Sequence, residues 1–214
     1  MSAGMAAATL DGRKTTFREV VTPQPFNTYV SMAPHPDGQP VWLARGHVPY
    51  EGGDLPGDVP AAWRCPYGVP GDRLYVQEPW NKHGAAVTYL ADGDWIADHN
   101  KAAPPAHYRP QWNDADTMPE EYARLVLEIV SVQAKQLQAI SPEQAAAEGM
   151  FYDKAKRRYV ITEGDEYKGR STSCAREAFY MLWESMRTGY MWTANPWVWV
   201  VEFKVIETNI RCAQ

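Results

Sequence analysis

Cysteine is scarce in this chain: Cys65, Cys174 and Cys212 are the three among 214 residues. They are odd in number and far apart, so they form neither a disulfide framework nor the paired spacing of a structural zinc site. With no secretory apolar segment at the start, the expected setting is a reducing cytoplasm. Positive charge is also short. Twenty-one Lys and Arg against 26 Asp and Glu leave a net charge of −5, which argues against a broad basic face gripping long duplex DNA but leaves room for a pocket that takes one nucleoside or the end of a strand. No run approaches eighteen continuous apolar residues, so no membrane span is expected. Internal repeats are absent, and no cofactor is implied. His99 and His107 stand near Asp94 and Asp98 in a polar stretch without metal-site spacing, so no metal is expected either.

Aromatic residues are plentiful, with 9 Trp and 12 Tyr, most of them suited to core and rim, where their polar edges need partners. The length and the 45% hydrophobic content fit one core, hence one domain over residues 1–214. Seventeen Pro and 15 Gly cluster outside the apolar runs, which marks loop-rich insertions at about 22–64 and about 92–120. Ala6 to Leu10 reads as a helix that Gly12 stops. Arg73 to Glu78 alternates as a strand ended by Pro79, with Arg73, Tyr75 and Gln77 on one face and Leu74, Val76 and Glu78 on the other. Ala86 to Leu90 reads as a strand facing Trp95-Ile96 across Ala91 to Asp94. The stretch Asn100 to Glu120 reads as a loop or lid. Leu125 to Val132 is a bent or centrally buried strand interrupted by Glu128, and the run Ala194 to Ile206 is another buried strand. Ser141, Pro142 and Gln144 form a capping box opening a helix from Pro142 to Glu148, which Gly149 stops. Ala175, Phe179, Leu182, Trp183 and Met186 recur at helical spacing between Ser173 and Arg187 as a core-facing stripe.

Four segments, L-D-G-R-K-T-T-F-R (Leu10 to Arg18), C-P-Y-G-V-P-G-D-R-L-Y-V-Q-E-P-W (Cys65 to Trp80), I-S-P-E-Q-A-A-A-E-G-M (Ile140 to Met150) and A-N-P-W-V-W-V-V-E-F-K-V-I (Ala194 to Ile206), resemble the ASCH domain family of the PUA-like superfamily, of the kind common in phages and prophages. The resemblance implies an α+β fold, a PUA-like/ASCH mixed β-barrel with short flanking helices and long loop insertions. It also implies a pocket that binds RNA or a modified nucleoside, in the host cytoplasm if the chain is phage-encoded. A small bacterial member of the family hydrolyses N4-acetylcytidine with a lysine, a threonine three residues later and a glutamate closing a short helix. Carried over, these positions are Lys14, Phe17 and Glu148.

The lysine and the acid are thus retained, while a phenyl ring that can neither attack a carbonyl nor relay a proton replaces the alcohol. The catalytic candidates are Lys14, Glu148 and Thr16. Lys14 would stabilise an oxyanion, Glu148 would manage the proton, and Thr16 or a water would attack. Ligand contacts are expected from Phe17, which would stack on a base, and from Arg18, Arg73, Glu78, Trp80 and Tyr152. Glu78, pointing inward, needs a donor, for which Arg18 or Lys14 is the expectation. The run Lys154 to Arg158 would hold phosphates. The leading expectation is therefore binding of a nucleoside or single-stranded nucleic acid, with removal of an N-acyl group from cytidine-type nucleosides as the enzymatic form. A metal-dependent ribonuclease, with Glu78 and Glu148 sharing a cation, and a phage protein-interaction module are the other classes. The sequence leaves the oligomeric state open.

Overall fold

The computed structural model describes residues 1–25, 30–34, 40–44, 61–102, 109–160, 170–186 and 188–208. In chain order its elements are α1 (Ala3–Leu10), β1 (Thr16–Val20), β2 (Val30–Pro34), β3 (Pro40–Ala44), β4 (Ala61–Trp63), β5 (Arg73–Tyr75), β6 (Trp80–His83), β7 (Ala86–Tyr89), α2 (Trp95–Ala102), β8 (Leu125–Gln136), α3 (Pro142–Ala147), β9 (Phe151–Asp153), β10 (Arg158–Val160), β11 (Ser171–Thr172), α4 (Ala175–Ser185) and β12 (Trp197–Thr208).

The two longest apolar runs, β8 and β12, pair with each other along nearly their whole length and form the spine of an antiparallel sheet ordered β1-β12-β8-β5. Two register shifts interrupt the pairing, between Glu202 and Phe203 and between Val205 and Glu207. Such bulges bend a strand and increase its twist, which curls the sheet. The curl stops short of closure: β1 bonds only to β12 and β5 only to β8, so among the described residues the four strands make an open half-barrel and not the closed barrel expected from the sequence. The fold is α+β.

Alternation along β1 and β12 gives the sheet two buried faces. On one, Val20, Val198 and Val200 pack against Ala145 of α3 and Ala178, Phe179, Leu182 and Trp183 of α4. On the other, Trp199, Val201, Ile129 and Val132 pack against Trp42 and Trp63 of the small sheet β2-β3-β4. The stretch expected as decoration at about 22–64 therefore supplies core side chains, although residues 26–29, 35–39 and 45–60 lie outside those described. At the first of the two register shifts Val130 of β8 has no partner, so the inward positions of β8 pass from Val132 to Ile129, and beyond it Leu127 and Leu125 join Phe203 in a third apolar cluster.

Of the expected helices, α3 follows the sequence signal closely. The Ser141 side chain accepts from the Gln144 amide, the Gln144 side chain returns the bond to the Ser141 amide, and Pro142 opens the first turn. The stripe on α4 is buried at Ala175, Phe179, Leu182 and Trp183, while Met186, expected with them, caps the helix in solvent. Two expectations fail. Trp95-Ile96 opens α2 instead of a strand, because Asp94 accepts from the Ala97 amide at 2.9 Å as a helix cap does, and β7 pairs with β6 instead. The strand at Arg73 ends at Tyr75, although Val76 and Glu78 keep their inward direction.

Beneath the small sheet, Tyr67 packs edge-on against Phe17 and donates to Glu19 at 3.4 Å. Burial first, and then the Glu19 carboxylate, push the Tyr67 phenol up to about 12. The folded state therefore keeps a proton that an unfolded tyrosine releases near about 10, so stability is intact below about 10 and falls as pH rises toward about 12. Ultraviolet titration should resolve a late tyrosinate that Tyr67→Phe removes.

Candidate functional site

The first sequence feature to become geometry is the turn between α1 and β1. Gly12, at φ +71°, ends the helix, and the Lys14 amide bonds back to the Ala8 carbonyl at 2.9 Å. The chain then runs extended beside the end of α3, with the Thr15 amide on the Ala147 carbonyl at 2.9 Å and Lys14 bridged to Glu148. Gly149 takes φ +99°, a left-handed conformation that turns the chain away after Glu148. A Cβ there would stand 3.1 Å from both Ala8 Cβ and Lys14 Cβ. Gly149→Ala should therefore lower stability by roughly 1–3 kcal/mol, read in denaturant unfolding, through backbone strain and displacement of Lys14 together.

These two backbone devices bring an amine, an alcohol, a guanidinium and a carboxylate to one buried spot. Lys14 Nζ donates to Glu148 Oε2 at 3.1 Å, to the Thr16 carbonyl at 2.7 Å and to the Glu148 carbonyl at 3.1 Å. Thr16 Oγ1 donates to Glu148 Oε1 at 3.2 Å, and Arg18 Nη1 donates to the same oxygen. All four residues are under 9% exposed. Thr16 and Arg18 are two apart on β1 and so share its helix-covered face. The Arg18 guanidinium lies over the Phe179 ring of α4, 5.6 Å from its centroid. Two cations thus surround one carboxylate with little exposure to bulk water.

Phe17 points the other way. Its ring sits on the opposite face of β1, against Tyr67 at 4.8 Å and Phe203 at 6.1 Å between centroids, among apolar core residues. The alcohol beside Glu148 is accordingly Thr16, and Phe17 fills the core instead of facing the cluster.

A second buried network stands apart from the first. Glu78 is fully buried, and its two carboxylate oxygens accept from Arg124, at 2.8 Å from Nε and 3.0 Å from Nη2. Nη1 of the same arginine grips Asp92 at 2.8 and 2.7 Å, and its guanidinium stacks over the Tyr89 ring at 4.0 Å. Burial opposes the charge on Arg124, but the bonds to Glu78 and Asp92 outweigh it and hold the guanidinium above its usual range. The expected donor to Glu78, Arg18 or Lys14, is corrected to Arg124. An arginine flanking a buried strand was the available signal, but only the pairing of β5 with β8 shows that it meets Glu78. Because Glu78 and Glu148 belong to separate networks, the two carboxylates do not share one cation position.

The remaining candidates lie outside both carboxylate clamps. Arg73 is exposed on edge strand β5. Trp80 donates to Thr117 Oγ1 at 3.2 Å and packs beside Tyr122. Tyr152 is 40% exposed on β9, with its ring 4.9 Å from Tyr159 across the strand pair. Lys154, Lys156, Arg157 and Arg158 are exposed along the β9–β10 hairpin. Asp94 serves as the α2 cap and accepts from Trp112 Nε1, a bond that together with the Ala97 amide lowers its pKa. His107 lies outside the described residues, and no group of three metal-ligating side chains occurs among those described. No described helix is long and apolar enough to cross a membrane.

No family model, curated protein or solved structure matches the chain.

Proposed function

We propose that the cluster of Lys14, Thr16, Arg18 and Glu148 is the reaction centre of a hydrolase that removes an N-acyl group from cytidine-type nucleosides, in a PUA-like domain of ASCH type. The observation that carries this reading is the bond from Thr16 Oγ1 to Glu148 Oε1, with Lys14 fixing the other oxygen of the same carboxylate. A hydroxyl bonded to an oriented base is the arrangement that nucleophilic catalysis requires.

In this mechanism Thr16 Oγ1 attacks the acyl carbon and passes its proton to Glu148. The carbon–nitrogen bond breaks as Glu148 returns that proton to the exocyclic nitrogen, and the free base leaves. Water then attacks the Thr16 ester, giving one proton through Glu148 back to Oγ1, and the carboxylic acid departs. Lys14, with its three N–H groups spent on Glu148 and on two backbone carbonyls, keeps the base oriented throughout. Incubation with N4-acetylcytidine and chromatography for cytidine tests the reading. Turnover supports it, and none at high enzyme concentration removes this substrate.

A second reading, recognition of a nucleoside or single-stranded nucleic acid without turnover, draws on a different surface. Phe151 and Tyr152 are exposed just beyond Gly149 and the buried Met150, at the basic hairpin of Lys154 to Arg158, so rings for stacking and charge for phosphates occur together. Salt-dependent binding of a short single-stranded RNA, weakened by Tyr152→Ala, would favour it.

A further inference from the structure

The outer side of α4 carries a cavity of about 360 Å³, lined by Cys174, Arg176, Glu177, Tyr180, Trp192 and Thr193. That volume falls in the range of about 300–1,000 Å³ that small-molecule sites occupy. No residue of the Lys14 cluster or of the Glu78 network lines it.

Its aromatic wall is fixed by bonds to three side chains. The Trp192 amide donates to Glu184 Oε1 at 2.7 Å, the Trp192 carbonyl accepts from Gln138 Nε2 at 2.9 Å, and the Gln138 carbonyl in turn accepts from Arg176 Nη2 at 2.9 Å. Asn195 ends the turn in a left-handed conformation, at φ +46°, and its Oδ1 accepts from the Gln138 amide at 2.8 Å. The Trp192 and Tyr180 rings meet at 72° with centroids 5.7 Å apart. A flat ring stacked on one therefore turns its edge to the other, and aromatic rings favour both contacts. Walls held in place beforehand spare a ligand the cost of ordering them.

The polar groups select the ring. Arg176 and Glu177 both line the cavity yet form no ion pair with each other. Thr172 Oγ1 donates to Glu177 Oε2 and so orients the carboxylate, leaving Oε1 without a partner among the described residues. Arg176 spends one of its five N–H groups on the Gln138 carbonyl, and its planar fork keeps one edge with two parallel donors. The same guanidinium lies over the Trp192 ring, 5.3 Å from its centroid, which repels a cationic ligand from that wall. The ligand that answers all of these groups is flat, with two neighbouring acceptors on one edge and an amino donor elsewhere.

Guanine meets that description with O6 and N7 as its acceptor pair, and cytosine meets it with O2 and N3. Both also bear an exocyclic amino group that a carboxylate can accept from. Adenine sets a donor beside N7, and uracil has no two neighbouring acceptors. We infer that the cavity on α4 is a nucleobase site, separate from the Lys14 cluster and from the Phe151 and Tyr152 surface. It takes guanine or cytosine, with Arg176 on the acceptor pair and Glu177 on the amino group.

Isothermal titration of the wild-type protein with GMP, CMP, AMP and UMP tests this, since the four share ribose and phosphate and differ only in the base. The expected result is saturable binding of GMP, CMP or both, with AMP and UMP weaker by roughly 10–100-fold. The tighter of GMP and CMP identifies the base. Glu177→Gln and Arg176→Lys, in protein whose thermal melt matches the wild type, should each weaken that binding by a similar factor. Tyr152→Ala and Thr16→Val should leave it unchanged. Equal affinity for all four nucleotides, no binding at millimolar concentration, or wild-type affinity in both cavity variants would overturn the site. None of these readings involves N4-acetylcytidine, so the base site and the hydrolase reading stand or fall separately.

Discussion

Glu148→Ala should destabilise the protein by about 3–5 kcal/mol, the loss typical when one partner of a buried ion pair is removed. The side chain is 4% exposed and answers two cations that have no other carboxylate in the cluster. Lys14 would keep its two backbone acceptors, but both positive charges would remain buried and unanswered. In a domain of this size the expected fall in melting temperature is on the order of 10 °C. Combining Lys14→Met, Arg18→Met and Glu148→Leu should recover part of that loss, because an apolar replacement of a whole buried ion cluster is often neutral or better. A single variant as stable as the wild type would mean that water reaches the cluster freely, contrary to the burial described above. Recovery in the apolar triple variant, with catalysis gone, would indicate that the cluster is kept for chemistry and not for stability.

Thr16→Val should remove catalysis while leaving the fold nearly intact. Valine matches threonine in shape and in preference for a strand, and the register of β1 against β12, with Thr16 opposite Glu202, rests on backbone bonds. What is lost is one hydroxyl bonded to Glu148. If that hydroxyl is the nucleophile, kcat toward N4-acetylcytidine should fall by at least about 10³-fold, equivalent to roughly 4 kcal/mol of barrier. KM and the thermal melt should change little. Thr15→Val is the matching control: Thr15 bonds the end of α3 and β12 through its backbone, and its side chain is exposed. A Thr16→Val enzyme that keeps full kcat would assign the attack to water, with Glu148 as its base.

Local signals made some of this architecture legible and long-range pairing decided the rest. The capping box at Ser141 and Gln144, the stop at Gly149 and the stripe on α4 all act within a few residues, and sequence spacing captured them. Lys14 and Glu148 were linked only through resemblance. Their meeting depends on a backbone bridge across 134 residues that no local pattern announces. The direction of Phe17 followed from alternation once Thr16 was placed on the face of Glu148. What remained hidden was which layer covered each face. Arg124 illustrates the same limit: Glu78 plainly needed a donor, yet which arginine supplied it depended on β5 lying beside β8. The hairpin of β6 and β7 and the helix α2 were misread because the stretch around Ala91 to Asp94 suits a β-turn and a helix start equally well, and the Asp94 cap decides between them.

The central claim is that a threonine on β1, activated by the acid that closes α3, carries the acyl group. Mass spectrometry of protein mixed with N4-acetylcytidine and quenched in acid tests this most directly. The account predicts an acetyl group on Thr16, transient in the wild type and absent in Thr16→Val. Acetyl found on Lys14 instead, or turnover with no acylated protein at any time, would contradict it.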